Sequence, residues 1–121
     1  MPPHATAAGK ALVAFESEED LRKRFGAELK SYTRNTLRNV EDLLRDIERT
    51  RERGYATDLE EFEEGLKCIA SPIRDYTRKV IGALSVSGPA HRRTDELNQT
   101  SIGAEVVRLA NDLSARLGFR E

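Results

Sequence analysis

The sequence lacks most of the residues from which proteins build reactive or metal-binding sites. Its 121 residues include one cysteine, Cys68, two histidines and no tryptophan. A single cysteine excludes an internal disulfide and any cysteine-only metal cluster, and it is typical of a cytoplasmic protein. Because His4 and His91 stand far apart outside any supporting motif, we predict no metal, no cofactor and no redox chemistry.

Long apolar runs and an excess of charge of one sign are also missing. No stretch reaches the roughly 18 apolar residues of a membrane span, and the first residues lack the pattern of a signal peptide. The 20 basic residues face 21 acidic ones, whereas a protein that wraps DNA needs a strong basic excess. With 38% hydrophobic residues the chain can bury one core, so we expect a single domain over residues 1–121 and no membrane partner.

What the sequence does contain is a regular succession of helix and strand patterns. Four segments carry the apolar periodicity of helices, which we expect over residues 7–15, 17–25, 39–53 and 94–118. Each begins at or just after a capping residue, namely Thr6, Ser17, Asn39 or Thr94. Three strand-like runs cover residues 55–58, 66–73 and 79–87, whereas residues 31–38 favour a loop. This order predicts an α+β fold with an antiparallel sheet and a long last helix.

The last two strands are the most informative pair. Residues 75–78 are typical of a four-residue hairpin turn, which would place Cys68 opposite Ser85 and Ala70 opposite Ala83. Proline lacks the N–H that a sheet needs, so the proline in the second strand, Pro72, should lie at a bulge or an unpaired edge.

Alternation along the strands gathers small and polar side chains on one face of the sheet. These residues are Cys68, Ala70, Ala83, Ser85 and Ser87, and Asp58 of the preceding strand can join them. Such a face cannot fill a core by itself. Either a helix packs very close to it, or it lines a pocket for a small molecule.

The start of the first helix is rich in small residues. The amides of Ala7 and Ala8 lie in its first turn, where N–H groups have no helical partner and the helix dipole adds positive potential. An anionic ligand such as a carboxylate would be stabilised there. The alternative is an ordinary alanine-rich helix start, because the pattern of a phosphate-binding loop is incomplete.

Catalytic motifs are missing from the sequence. Cys68 in an apolar strand is more typical of an inert side chain than of a nucleophile, and no nucleophile elbow or zinc-binding helix motif occurs. The acidic run of residues 58–64 lacks the spacing of a calcium loop and is interpreted as a solvated turn. We therefore predict that the chain is not an enzyme.

Four blocks of the sequence form a recognisable set. They are His-Ala-Thr-Ala-Ala-Gly-Lys-Ala-Leu at 4–12, Arg-Glu-Arg-Gly-Tyr-Ala at 51–56, Gly-Leu-Lys-Cys-Ile-Ala-Ser-Pro-Ile-Arg-Asp at 65–75 and Ala-Leu-Ser-Val-Ser-Gly-Pro at 83–89. Together the four blocks resemble the effector-binding domain of IclR-type (isocitrate lyase regulator) transcription factors. The last two, at this separation, are the specific ones.

The resemblance implies a GAF-like domain that binds a small organic acid between the first helix and the sheet. In the family, two backbone amides and four side chains contact the effector, at the positions of Ala7, Ala8, Asp58, Cys68, Ser85 and Ser87. Four of these are the polar or thiol-bearing members of the sheet face described above.

Family members also carry an N-terminal winged helix-turn-helix domain that binds DNA, and this sequence lacks it together with the first strands of the effector domain. We interpret the chain as a partial domain, either a fragment or a natural truncation, that reaches DNA only through the missing part. The leading hypothesis is an effector sensor that forms a dimer or tetramer. The alternative is a truncated oligomerisation module with no ligand of its own, since the missing strands leave a sheet edge unpaired.

Overall fold

The computed structural model describes residues 2–89 and 95–120, apart from the side chains of residues 95–99. Its elements are α1 (Ala7–Leu12), α2 (Glu18–Phe25), α3 (Val40–Arg53), β1 (Ala56–Leu59), β2 (Leu66–Arg74), β3 (Val80–Pro89) and α4 (Asp95–Arg116). This order confirms the predicted α+β fold with three antiparallel strands and a long last helix.

The helix starts are fixed by side chains, as the sequence predicts. Thr6, Ser17 and Asn39 each accept a hydrogen bond from the amide three residues further along the chain. Each bond satisfies one of the N–H groups that a helix start leaves open. The predicted cap at Thr94 lies outside the described residues, as does His91.

The first helix is shorter than predicted and ends at Leu12 rather than at residue 15. The reason lies far away in the sequence, because the guanidinium of Arg51 on α3 donates to the carbonyl oxygens of Ala14 and Glu16. Beyond Leu12 the amides of Ala14 and Glu16 bond to carbonyls three residues back instead of four, and the chain then enters α2. Val13 at this bend packs into a buried cluster between α2 and α3.

The sheet has the order β1-β2-β3. The predicted register of the β2–β3 hairpin is wrong, because Cys68 lies opposite Ser87 and Ala70 lies opposite Ser85. Both partners on β3 are two residues further along than predicted.

Two one-residue changes produce this register. Arg74 pairs with Val80, so the turn comprises residues 75–79 and is one residue longer than predicted. Ile81 is then left over as a bulge, which adds a second shift. Because side chains alternate between faces, two shifts restore the original face. The predicted grouping of side chains therefore survives.

Pro72 lies where β2 has only one neighbouring strand. β1 pairs with β2 only as far as Ala70, so Pro72 has a partner, Ala83, on β3 alone. The bulge follows between Ile73 and Arg74. The missing N–H of Pro72 is thus tolerated, as the sequence predicts.

α1 and α4 cover opposite faces of the sheet. On the α1 side, Ala7 and Ala11 of the helix meet Ala56 and Ala70 of the strands, and all four are buried. Since alanine has the smallest side chain that still fills a core, the helix lies close to the strands.

On the other face, α4 approaches the sheet through a glycine and a serine. A Cβ added at Gly103 would lie 2.6 Å from ring atom Cε1 of Tyr55, so this contact requires glycine. Ser114 Oγ accepts a hydrogen bond of 3.0 Å from the backbone N–H of Arg74. The serine thereby ties α4 to the last residue of β2.

Candidate functional site

The predicted site residues of the sheet lie in one row across the three strands. Asp58 is the register partner of Cys68, and Cys68 is the register partner of Ser87. Ser85 lies on the same face, opposite Ala70. All of these residues therefore belong to the face that α1 covers.

Burial falls along this row from β1 to β3. Asp58 is buried, Cys68 is half-buried, and both Ser85 and Ser87 are exposed. Cys68 Sγ lies 3.1 Å from Ser87 Oγ, at hydrogen-bonding distance. Burial raises the pKa of the Cys68 thiol, so at neutral pH it is a neutral group and not a nucleophilic thiolate.

Asp58 has a structural role that does not depend on a ligand. Its Oδ1 accepts a 2.8 Å hydrogen bond from the amide of Glu61, and the nearby amide of Phe62 also favours the charged carboxylate. Burial raises the pKa of Asp58, while these two amides and the nearby ammonium of Lys10 oppose the rise. Asp58 thus shapes the turn that follows β1.

The start of α1 lies over the same face. Ala7 is buried against the sheet, while Ala8 is half-buried and packs against the same alanine cluster as Cys68 and Ala83 do. At its alanines, this face of the sheet is therefore packed closely by a helix, which is the first of the two alternatives given for it. The polar end of the face, at Ser85 and Ser87, is not filled in this way, and its role as a ligand site stays a prediction.

One functional group was missed by sequence reasoning, the buried ammonium of Lys10. Its side chain is fully buried, and Nζ donates to Asp46 Oδ2 at 2.5 Å, Glu61 Oε1 at 2.6 Å and the carbonyl of Thr57 at 2.7 Å. All three of its protons are used. This trio of Lys10, Asp46 and Glu61 joins α1, α3 and the turn after β1.

The interpretation of residues 58–64 as a solvated turn is wrong for two of its acids. Asp58 and Glu61 are both buried. Burial raises the pKa of Glu61, and the neighbouring Lys10 ammonium opposes that rise. The only sequence signal is the i, i+3 spacing of these acids, which suits a side-chain-to-amide turn but does not show burial.

Two open grooves lie along α3. The larger, here called the α3–β1 groove, has a volume of about 590 Å³ and is lined by residues that include Leu37, Arg45, Arg49, Arg53, Thr57 and Leu59. The smaller, of about 390 Å³, lies between α2 and α3. Neither is lined by a residue of the predicted site.

Within the described part of the chain, no three His, Cys, Asp or Glu side chains gather as metal ligands would.

No helix among the described residues is both long and apolar enough to cross a membrane.

Known proteins share both the sequence and the fold. The family of bacterial transcriptional regulator IclR, C-terminal, matches residues 1–115. The HTH-type transcriptional repressor AllR of Escherichia coli K12 is 41% identical over an alignment 121 residues long, which covers 99% of this chain and 44% of AllR. The chain thus spans less than half the length of this relative, which is a repressor and not an enzyme, in agreement with the sequence prediction.

Solved structures give the same result. The repressor BlcR of Agrobacterium tumefaciens has a TM-score of 0.90 and 30% identity, covering 98% of this chain and 49% of its own. The C-terminal domain of the E. coli regulator KdgR has a TM-score of 0.85 and 38% identity, covering 98% of this chain and 72% of its own.

A third structure is a double mutant of the inducer-binding domain of the transcription factor PobR from Acinetobacter, in complex with 3-hydroxybenzoic acid. It has a TM-score of 0.80 and 25% identity, covering 94% of this chain and 66% of its own. Sequence and fold agree, and the chain belongs to the IclR family of bacterial transcriptional regulators as a C-terminal domain.

Proposed function

We propose that the chain is a single effector-binding domain that senses a small organic acid and performs no chemistry on it. The observation that carries this proposal is the row Asp58–Cys68–Ser87, with its polar end left open below the start of α1. The PobR inducer-binding domain, which holds 3-hydroxybenzoic acid, supports an acid as the ligand class.

The proposed contacts follow from the chemistry of each group. In this proposal the amides of Ala7 and Ala8, at the positive end of α1, would donate hydrogen bonds to the carboxylate of the ligand, and so would the hydroxyls of Ser85 and Ser87. Asp58 lies at the margin. A monoanion fits better than a dianion, because a second negative charge beside Asp58 is unfavourable.

Regulation would pass through the assembly of the longer regulator. An acid that binds one arrangement of a dimer or tetramer more tightly shifts the population toward that arrangement. DNA would be bound by a winged helix-turn-helix domain that is not part of this chain, and a regulator of this kind works in the cytoplasm.

A thermal-shift titration with monocarboxylic acids, 3-hydroxybenzoate among them, tests the proposal. A ligand that binds only the folded state stabilises it by about 2.7 kcal/mol at a hundredfold excess over its Kd. We expect Ser87→Leu, which fills the open end of the row, to weaken binding by about tenfold, or 1.4 kcal/mol. The matched control is Ser101→Leu, an exposed serine on α4, with unchanged affinity. Equal affinity in the wild type and in folded Ser87→Leu would place the site elsewhere.

A second candidate function, self-association, is favoured by the outer edge of β3. In the described part of the chain β3 pairs with β2 alone, and residues 80–89 carry no charge. Two of its apolar side chains, Ile81 and Val86, are 54% and 46% exposed. A long uncharged edge strand is a template for pairing with another strand.

The opposite edge of the sheet is closed by side chains. Arg53 Nε donates to the carbonyl of Tyr55 at 2.8 Å, Lys10 to that of Thr57 at 2.7 Å, and Glu61 Oε2 accepts from the amide of Leu59 at 3.0 Å. A dimer of this chain would therefore form through β3. Light scattering after gel filtration should show a dimer that Val86→Lys converts to a monomer, whereas Ser101→Lys does not.

A further inference from the structure

The α3–β1 groove carries a row of arginines. Arg45, Arg49 and Arg53 are spaced by four residues, so they lie on one side of α3 with about 6 Å of helix rise between neighbours. Like charges at this spacing repel one another along a helix. An anion in the groove would relieve that repulsion.

Among the side chains that the structure describes, those of residues 2–89 and 100–120, two of the three guanidiniums have no acid in ion-pair contact. Arg45 pairs with Asp42. Within the same residues, no carboxylate lies within ion-pair distance of Arg49 or Arg53. The remaining acids of the groove, Asp46 and Glu61, both serve the buried Lys10, and their side chains are only 13% and 9% exposed.

Arg53 is held in place by neutral partners. Its Nε donates to the carbonyl of Tyr55 at 2.8 Å and its Nη2 to Thr57 Oγ1 at 3.3 Å. The guanidinium also lies 4.5 Å from the centre of the Tyr55 ring. A guanidinium already fixed in this way loses little conformational freedom when it binds an oxyanion.

Apolar side chains line the same groove. Leu37 is half-buried, and Leu59 at the end of β1 is 38% exposed. The volume of about 590 Å³ lies within the range of small-molecule sites. The groove thus offers a cationic part and an apolar part side by side.

We propose that the α3–β1 groove is a second ligand site, which binds an organic acid with its carboxylate on Arg49 and Arg53 and its hydrocarbon body on Leu37 and Leu59. It shares no residue with the sheet face of Asp58, Cys68 and Ser87. The two proposed sites can therefore be tested independently of each other.

Amide NMR titration with benzoate and with acetate tests this site. We expect benzoate to shift the signals of residues 49–59 and to bind there about fivefold more tightly than acetate, because only benzoate reaches the leucines. Arg49→Gln should weaken benzoate about tenfold, the loss of one charge-assisted hydrogen bond. Arg78→Gln, an exposed arginine on the β2–β3 turn, is the matched control and should bind as the wild type does. Leu59→Asn should remove the preference for benzoate.

The two sites are separated by a further variant. In Ser87→Leu the shifts at residues 49–59 should persist, whatever happens at Cys68 and Ser87. Shifts confined to Cys68 and Ser87 in the wild type would overturn the groove proposal. So would equal losses in Arg49→Gln and Arg78→Gln, which would show only a general effect of surface charge.

Discussion

Replacing Lys10 with methionine tests how strongly the Lys10–Asp46–Glu61 trio holds α1 to α3 and β1. Methionine keeps the apolar stem and removes only the ammonium. Two carboxylates that are 13% and 9% exposed then lose their shared cation, and the Thr57 carbonyl loses its donor. Breaking a buried ion pair by removing one partner costs about 3–5 kcal/mol. We expect a loss of free energy of unfolding of that size.

Urea denaturation followed by circular dichroism measures this loss. For a chain of 121 residues one kcal/mol corresponds to about 4 °C in Tm, so the variant should melt at least about 12 °C lower. The control is Lys23→Met, whose side chain is 72% exposed and paired only at the surface, with a change below about 1 kcal/mol. Adding Asp46→Asn and Glu61→Gln to Lys10→Met should recover part of the stability, because neither acid of the trio then leaves an unpaired buried charge.

The pH dependence has a definite sign. The Lys10 ammonium lowers the pKa of Glu61, so without it the raised pKa of this carboxyl rises further and acidification neutralises the stranded charge sooner. The deficit of Lys10→Met relative to the wild type should therefore shrink as the pH falls. A deficit below about 1 kcal/mol with an unchanged denaturant slope, or one that grows on acidification, would refute the assignment.

Two further predictions concern Gly103 and Asp58. Gly103→Ala should lower the free energy of unfolding by about 1–3 kcal/mol in a urea titration, because its Cβ would lie 2.6 Å from the Tyr55 ring. The control is Gly82→Ala, which should have a smaller effect because no heavy atom lies within 4 Å of its Cβ. The raised pKa of Asp58 means that this carboxyl holds its proton more tightly in the folded chain than in the unfolded chain. Its contribution to stability is therefore complete at low pH and is lost as the pH rises through the folded pKa. When the free energy of unfolding is followed from pH 3 upward, that of Asp58→Asn should decline less than that of the wild type.

Local signals in the sequence were sufficient for the helix starts and for the faces of the strands. A cap such as Asn39 acts on an amide three residues away, and alternation along a strand needs no knowledge of the rest of the chain. The row of Asp58, Cys68 and Ser87 on one face follows from such signals.

The features that sequence reasoning missed depend on distant partners. The hairpin turn is held from the C-terminal end, since Tyr76 N–H donates to the Leu117 carbonyl and Arg78 Nε donates to that of Arg120. α1 ends where Arg51 binds, and Glu61 is buried because Lys10 is buried beside it. None of these partners lies within a window that a local pattern covers.

The lengthened turn and the bulge at Ile81 act together, because each shifts the pairing of β3 with β2 by one residue. If this sequence closed the same turn without the bulge, Cys68 would lie opposite Val86, and Val86 would replace Ser85 and Ser87 beneath α1. A four-residue turn with the bulge retained would have the same result. Deletion of Ile81, by contrast, would remove the bulge and leave every pair and both faces as they are, so related chains without this residue should keep both serines beneath α1 on a straight strand.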